Sequence, residues 1–130
     1  MSADSTPLDT RRKARILIIE DEASLTVMLE ELLIDAGFDV VGIAGRLNTA
    51  LTMIESEACD VTILDANLAG VSAGPAARLL TSRGIPFVVL SGYSSRQQHR
   101  DFAGALFLQK PCQPDVLVRA LLSILPAGFT

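Results

Sequence analysis

Short apolar runs that stop abruptly at polar residues alternate along this chain with segments whose apolar positions recur at helical spacing. Ile16 to Ile19 is wholly apolar, rich in β-branched residues, and ends at Glu20, Asp21 and Glu22, the pattern of a buried strand whose carboxyl end meets a polar site. From Ala23 to Gly37 the period changes: Leu25, Met28, Leu29, Leu32, Leu33 and Ala36 share a helical stripe, and Gly37 is placed to cap its end. The unit then repeats. Val40 to Ile43 predicts a second strand, Asn48 to Glu57 a helix with Ala50, Leu51 and Ile54 on one face, and Val61 to Leu64 a third strand with Asp65 just past its end. After a loop through Gly70, Ser72 to Arg83 predicts a third helix, with Pro75 tolerated in its first turn and Gly84 ending it. Phe87 to Leu90 is a fourth strand and Ala105 to Leu108 a fifth; Lys110 and Pro111 form a turn, and Pro114 to Leu125 is a final helix. Residues 94–103 carry almost no apolar stripe and predict only a short or mobile helix.

Strand and helix alternating in this way imply an α/β fold: a parallel sheet, right-handed crossovers, helices on both faces, and a site at the carboxyl ends of the strands. The 130 residues fit one domain, expected over 14–127 after a polar and basic tail at 1–13, with no room for an output domain. Hydrophobic residues make up 49% and aromatics 5%, so the core must be aliphatic, as suits a covered parallel sheet. A net charge of −4 argues against general nucleic-acid binding and suits a cation site. Cys59 and Cys112 lack metal or redox spacing and read as small hydrophobes of a reducing cytoplasm. No signal peptide or membrane-spanning run is evident, so a cytoplasmic location with no membrane partner is expected. The basic run Arg11, Arg12, Lys13, Arg15 reads as a solvated tail.

The polar residues at the predicted strand ends are Glu20, Asp21, Asp65, Ser91 and Lys110. Three carboxylates drawn together repel one another unless a cation sits among them, and few protein ligands with room for water and phosphoryl oxygen favour Mg²⁺ over Ca²⁺. Beside such an ion a carboxylate can act as nucleophile toward a phosphoryl donor. Lys110 then supplies positive charge and Ser91 a hydroxyl for the phosphoryl oxygens. Phosphoryl transfer depends on positioning and charge neutralisation more than on acid-base groups, so no catalytic His or Cys is required.

The segments ILIIEDE, VTILDANLAG, FVVLSGY and GALFLQKP carry these residues in order, and over about Ala14 to Leu125 the chain resembles the receiver domains of two-component response regulators. That resemblance implies a flavodoxin-like (βα)5 sandwich with sheet order 2-1-3-4-5. It implies Glu20 and Asp21 as the acidic pair, Asp65 as phosphoacceptor, Ser91 as hydroxyl switch residue and Lys110 as the phosphate-sensing lysine. The main-chain carbonyl of Asn67 would complete the metal contacts, Lys110–Pro111 would be a cis peptide, and Phe107 would be the aromatic switch residue. The partners implied are a histidine kinase or phosphotransfer protein and an unknown downstream protein, with phosphorelay signalling as the function and Mg²⁺ as the only cofactor. The chain departs from many receivers in ANLAGVSAG and LSGY, which resemble a stand-alone alphaproteobacterial subgroup with a Thr-Gly-Tyr signature. There Ser91 takes the Thr position, Gly92 favours mobility, and Tyr93 is the aromatic expected to move.

Blander readings stand beside these. Glu20 to Glu22 could be only an acidic helix start, Ser91 a strand-end cap, and Lys110 alone a surface residue. His99 among Gln and Arg reads as a solvated side chain. The final helix has too many apolar faces for core alone: Val116, Val118, Leu122 and Leu125 beside Leu117 and Leu121 suggest a face for homodimerisation or kinase docking. Two further functions compete: a phosphate sink without output, and a small aspartyl-phosphate phosphatase, disfavoured because Asn67 stands where such enzymes carry a second Asp. A flavin-type cofactor module is disfavoured by the lack of a GxGxxG or P-loop motif.

Overall fold

The structure is a computed structural model that describes residues 12–92 and 100–129. The apolar run near the N-terminus forms β1 (Arg15–Ile19), followed by α1 (Ala23–Asp35), β2 (Asp39–Ala44), α2 (Leu47–Ser56) and β3 (Val61–Asp65). A short antiparallel hairpin, β4 (Asn67–Leu68) and β5 (Val71–Ser72), leads into α3 (Gly74–Ser82). Then come β6 (Phe87–Ser91), a 3-10 turn (Arg100–Phe102), β7 (Leu106–Gln109) and α4 (Pro114–Ile124). The main sheet is parallel with order β2-β1-β3-β6-β7, which is the expected 2-1-3-4-5 once the hairpin is set aside.

Alternation along the central strands divides the core between two layers, because successive side chains of a strand point to opposite faces. Leu17, Ile19, Leu64 and Val89 pack with Ala50 and Ile54 of α2 and with Ala77 and Leu80 of α3. Ile16, Ile18, Ile63 and Val88 pack on the other face with Leu29 and Leu33 of α1 and with Leu117 and Leu121 of α4. Each of the buried Leu, Ile and Val side chains among these contributes about 1.5–3 kcal/mol of transfer free energy. α1 ends as expected, with Gly37 at φ +95°, a conformation that a residue with a Cβ adopts only at a cost.

Several expectations need correction. The segment after Asp65 is not a plain loop: the Ala73 amide donates to the Ala66 carbonyl, and Asn67 pairs with Ser72. Ser72 therefore belongs to β5, and α3 begins at Gly74. Asp65 is the last residue of β3, since it still pairs with Leu90. Arg15 is not part of a solvated tail. It opens β1, and its guanidinium grips Asp60 through Nε to Oδ2 and Nη2 to Oδ1, both at 3.0 Å. Arg12 lies over the Phe129 ring, 5.4 Å from its centroid. Of the helix expected over 94–103, Arg100–Phe102 is a single 3-10 turn; residues 93–99, including Tyr93 and His99, lie outside the described residues.

Candidate functional site

Parallel register decides which strand ends become neighbours. Ile19 pairs with Leu64, which sets Glu20 beside Asp65, while Ser91 pairs with Gln109, which sets Lys110 one residue beyond the end of β7. The Lys110 amide donates to the Ser91 carbonyl at 2.8 Å, and the Lys110–Pro111 peptide is cis, as expected. The Lys110 ammonium reaches back over the strand ends, donating to Asp65 Oδ2 at 3.0 Å and lying 2.9 Å from Glu20 Oε1. Carboxylate oxygens of Glu20, Asp21 and Asp65 all lie within 4.8 Å of one another. The structure thus brings together four of the five strand-end residues singled out in the sequence, and Ser91 is buried at the end of β6 alongside them.

The three acids differ in environment. Asp21 is exposed, Asp65 is 5% exposed and Glu20 only 2%. Glu20 Oε2 accepts from the Glu22 amide at 3.1 Å, whereas the buried Oε1 has no well-formed hydrogen bond and only the ammonium contact. Burial, with the neighbouring Asp65 charge adding to it against the pull of Lys110, pushes the Glu20 carboxyl up to about 7. Partial burial works against the charge on Lys110, but the Glu20 and Asp65 carboxylates outweigh it and hold its pKa above the ordinary lysine value. The Asn67 amide donates to Asp65 Oδ1 at 3.2 Å, and the Asn67 side chain is turned away, its Oδ1 accepting from the Gly70 amide at 2.8 Å. That turn carries Ala69 at φ +52° and Gly70 at φ +87°.

The donor set suits a hard divalent ion: the clustered side chains offer only carboxylate oxygens, three acids face one ammonium, and the buried Glu20 Oε1 lacks a good hydrogen-bond partner. Phe107 is half-buried on β7, packed against the layer that holds α2 and α3, and meets Phe102 edge-on with ring centroids 5.9 Å apart. Phe102, 3% exposed, was not singled out by sequence; its polar neighbourhood gave no periodic signal. A groove of about 470 Å³ opens beside Lys110 between α1 and α4, walled by Leu25, Met28, Pro111, Cys112 and Leu117.

A family model described as the response regulator receiver domain matches residues 16–122, most of the chain. The chain belongs to that family. It is similar to the transcriptional regulatory protein PdtaR of Mycobacterium tuberculosis, with 32% identity over 127 residues that cover 93% of this chain and 61% of the relative. It is also similar to the DNA-binding response regulator MtrA of the same organism, with 36% identity over 85 residues, 65% of this chain and 36% of that protein. The chain thus spans about three fifths or less of the length of these curated relatives. Among solved structures, SdrG from Sphingomonas melonis Fr1 superposes with a TM-score of 0.74 at 36% identity, covering 85% of this chain and 95% of that one. A response regulator receiver protein from Sinorhizobium medicae WSM419 superposes with a TM-score of 0.79 at 26% identity, covering 89% and 97%. The match places residues 16–122 as a receiver domain of the kind found in two-component response regulators. Among the described residues no helix is long and apolar enough to cross a membrane.

Proposed function

We propose that Asp65 is the phosphoacceptor of this receiver, charged by a histidine kinase or phosphotransfer protein with Mg²⁺ bound by Glu20, Asp21, Asp65 and the main-chain carbonyl of Asn67. The observation that carries the reading is the Lys110 ammonium shared between the Asp65 and Glu20 carboxylates at 3.0 and 2.9 Å. When bound, the ion supplies positive charge that offsets carboxylate repulsion and the charge of the incoming phosphoryl group. An Asp65 carboxylate oxygen forms the new bond to phosphorus as the phosphorus–nitrogen bond of the donor phosphohistidine breaks, and the imidazole keeps the electron pair. Lys110 then exchanges part of its contact with Asp65 for a phosphoryl oxygen, and the Ser91 hydroxyl donates to another. A rearrangement around Ser91, Phe107 and Tyr93 changes the surface that a downstream protein reads.

The groove beside Lys110 and the exposed Val116 and Leu122 of α4 are apolar surfaces that a donor protein could use. Asn67 favours the signalling reading over a phosphatase, because its side chain is an amide committed to Gly70 and offers no proton to a leaving group. Incubation with Mg²⁺ and a small-molecule phosphodonor, followed by intact mass spectrometry, tests the reading. One acid-stable, base-labile phosphoryl group is expected on the parent and none on Asp65→Asn. Equal labelling of both proteins would rule out Asp65 as acceptor.

A further inference from the structure

Asp101 belongs to the 3-10 turn of residues 100–102, and its carboxylate reaches across to α3, where Oδ2 accepts from Arg78 Nη1 at 2.6 Å. The same oxygen lies over the first residue of that helix. A Cβ added to Gly74 would stand 2.5 Å from Asp101 Oδ2, so the absence of a side chain there is what lets the carboxylate in. α3 has no side-chain cap bond at its N-cap residue, and a carboxylate at its first turn is favoured by the helix dipole. Phe102 follows directly, buried and edge-on to Phe107. Phe107 in turn pairs with Val89, in the strand pair that ends at Ser91 and Gln109. One short turn therefore ties α3 to the strands that carry two of the proposed switch residues.

We propose that the Asp101–Arg78 clasp over Gly74 is a latch that holds Phe102 against Phe107 in the unphosphorylated receiver and opposes the rearrangement that follows phosphorylation. The proposal rests on Asp65 as the phosphoacceptor and adds what restrains the response. Arg78 is 60% exposed, so the ion pair is a modest one. Modest is what a switch requires, since an element can be biased by a ligand only if its two states differ by little. Because coupling is reciprocal, loosening the latch tightens binding of any ligand that prefers the activated arrangement.

Two variants attack the latch from opposite sides: Arg78→Gln removes the cation, and Gly74→Ala pushes the carboxylate out. Arg119→Gln, which breaks the exposed Arg119–Asp115 pair on α4, serves as the surface control. In the metal-free protein, the Ala103 and Ala105 amides, which donate to the Arg100 and Phe102 carbonyls, are expected to exchange with solvent faster in both latch variants and unchanged in the control. With Mg²⁺ and the phosphoryl mimic beryllofluoride, both variants are expected to bind roughly two- to fivefold tighter than the parent, the range an exposed pair can supply. Unchanged exchange would show that the clasp holds nothing, and faster exchange with unchanged affinity would show it to be only structural; either overturns the proposal. A parent that binds no beryllofluoride would overturn the Asp65 reading itself, and the latch's regulatory role with it.

Discussion

Lys110 Nζ lies 3.0 Å from Asp65 Oδ2 across 45 residues of sequence, and the same nitrogen is 2.9 Å from Glu20 Oε1. One cation thus holds two carboxylates that would otherwise repel each other in a poorly solvated site.

Removing that cation leaves two mostly buried carboxylates facing each other. Lys110→Met is expected to lower metal-free stability by about 1–3 kcal/mol, discounted from the cost of breaking a fully buried pair because the lysine is 24% exposed. Mg²⁺ should restore part of the loss. Urea unfolding of parent and variant with chelator and with Mg²⁺ checks both halves.

The Glu20 carboxyl, raised from 4.5 to about 7, gives a signed pH dependence. A raised folded-state pKa contributes stability that is complete below the unfolded value and is lost as pH rises through the folded one. The metal-free protein is therefore expected to lose up to about 3 kcal/mol between pH 4.5 and pH 7 from this group, the ceiling given by a 2.5-unit difference. Glu20→Gln should flatten that slope, and Mg²⁺ should bind more weakly below pH 7, where a proton competes. Urea midpoints at pH 5 and pH 8 measure the first effect and Mg²⁺ titrations at the same pH values the second.

Asp60 sits at the other end of the sheet and should affect stability without affecting the site. Burial works against its charge, but hydrogen bonds from the Arg15 side chain and amide prevail and hold its carboxyl below the usual range. Asp60→Ala is expected to lower the unfolding midpoint near neutral pH, with the difference from the parent shrinking as pH falls through the depressed value. Phosphoryl uptake, read by mass spectrometry, should match the parent.

Phe107→Leu keeps an apolar strand residue but loses the edge contact with Phe102, which is worth about 0.5–1.5 kcal/mol beyond burial. Uptake of phosphoryl at Asp65 is expected to persist while the change in surface that follows it is altered. Amide exchange across β7 before and after beryllofluoride addition reads that difference.

Much of this was legible in the chain because the decisive signals are local. Ile16 to Ile19 and Val61 to Leu64 announce buried strands by composition, and the acids that end them mark where a site forms. What local pattern cannot carry is partnership across distance: Arg15 with Asp60 and Arg78 with Asp101 are separated by 45 and 23 residues. The β4–β5 hairpin also escaped notice, since two two-residue strands give too little alternation to register, and its ladder depends on Ala66 and Ala73. Phe102 belongs to a polar stretch and joins the core through tertiary packing, in the buried cluster with residues of α3 and edge-on to Phe107 of β7. The strand-end residues themselves were placed correctly, because a parallel sheet delivers its carboxyl ends to one edge whatever the details of the connections.

The central claim is that Asp65, held between Lys110 and Mg²⁺, forms an acyl phosphate. Borohydride reduction after incubation with Mg²⁺ and a phosphodonor, followed by peptide mapping, tests it most directly, because an aspartyl phosphate is reduced to homoserine at its own position. Homoserine at position 65 alone, dependent on both Mg²⁺ and the donor, is the predicted result. Reduction at another carboxylate, or Mg²⁺-independent phosphorylation with position 65 unchanged, would contradict it.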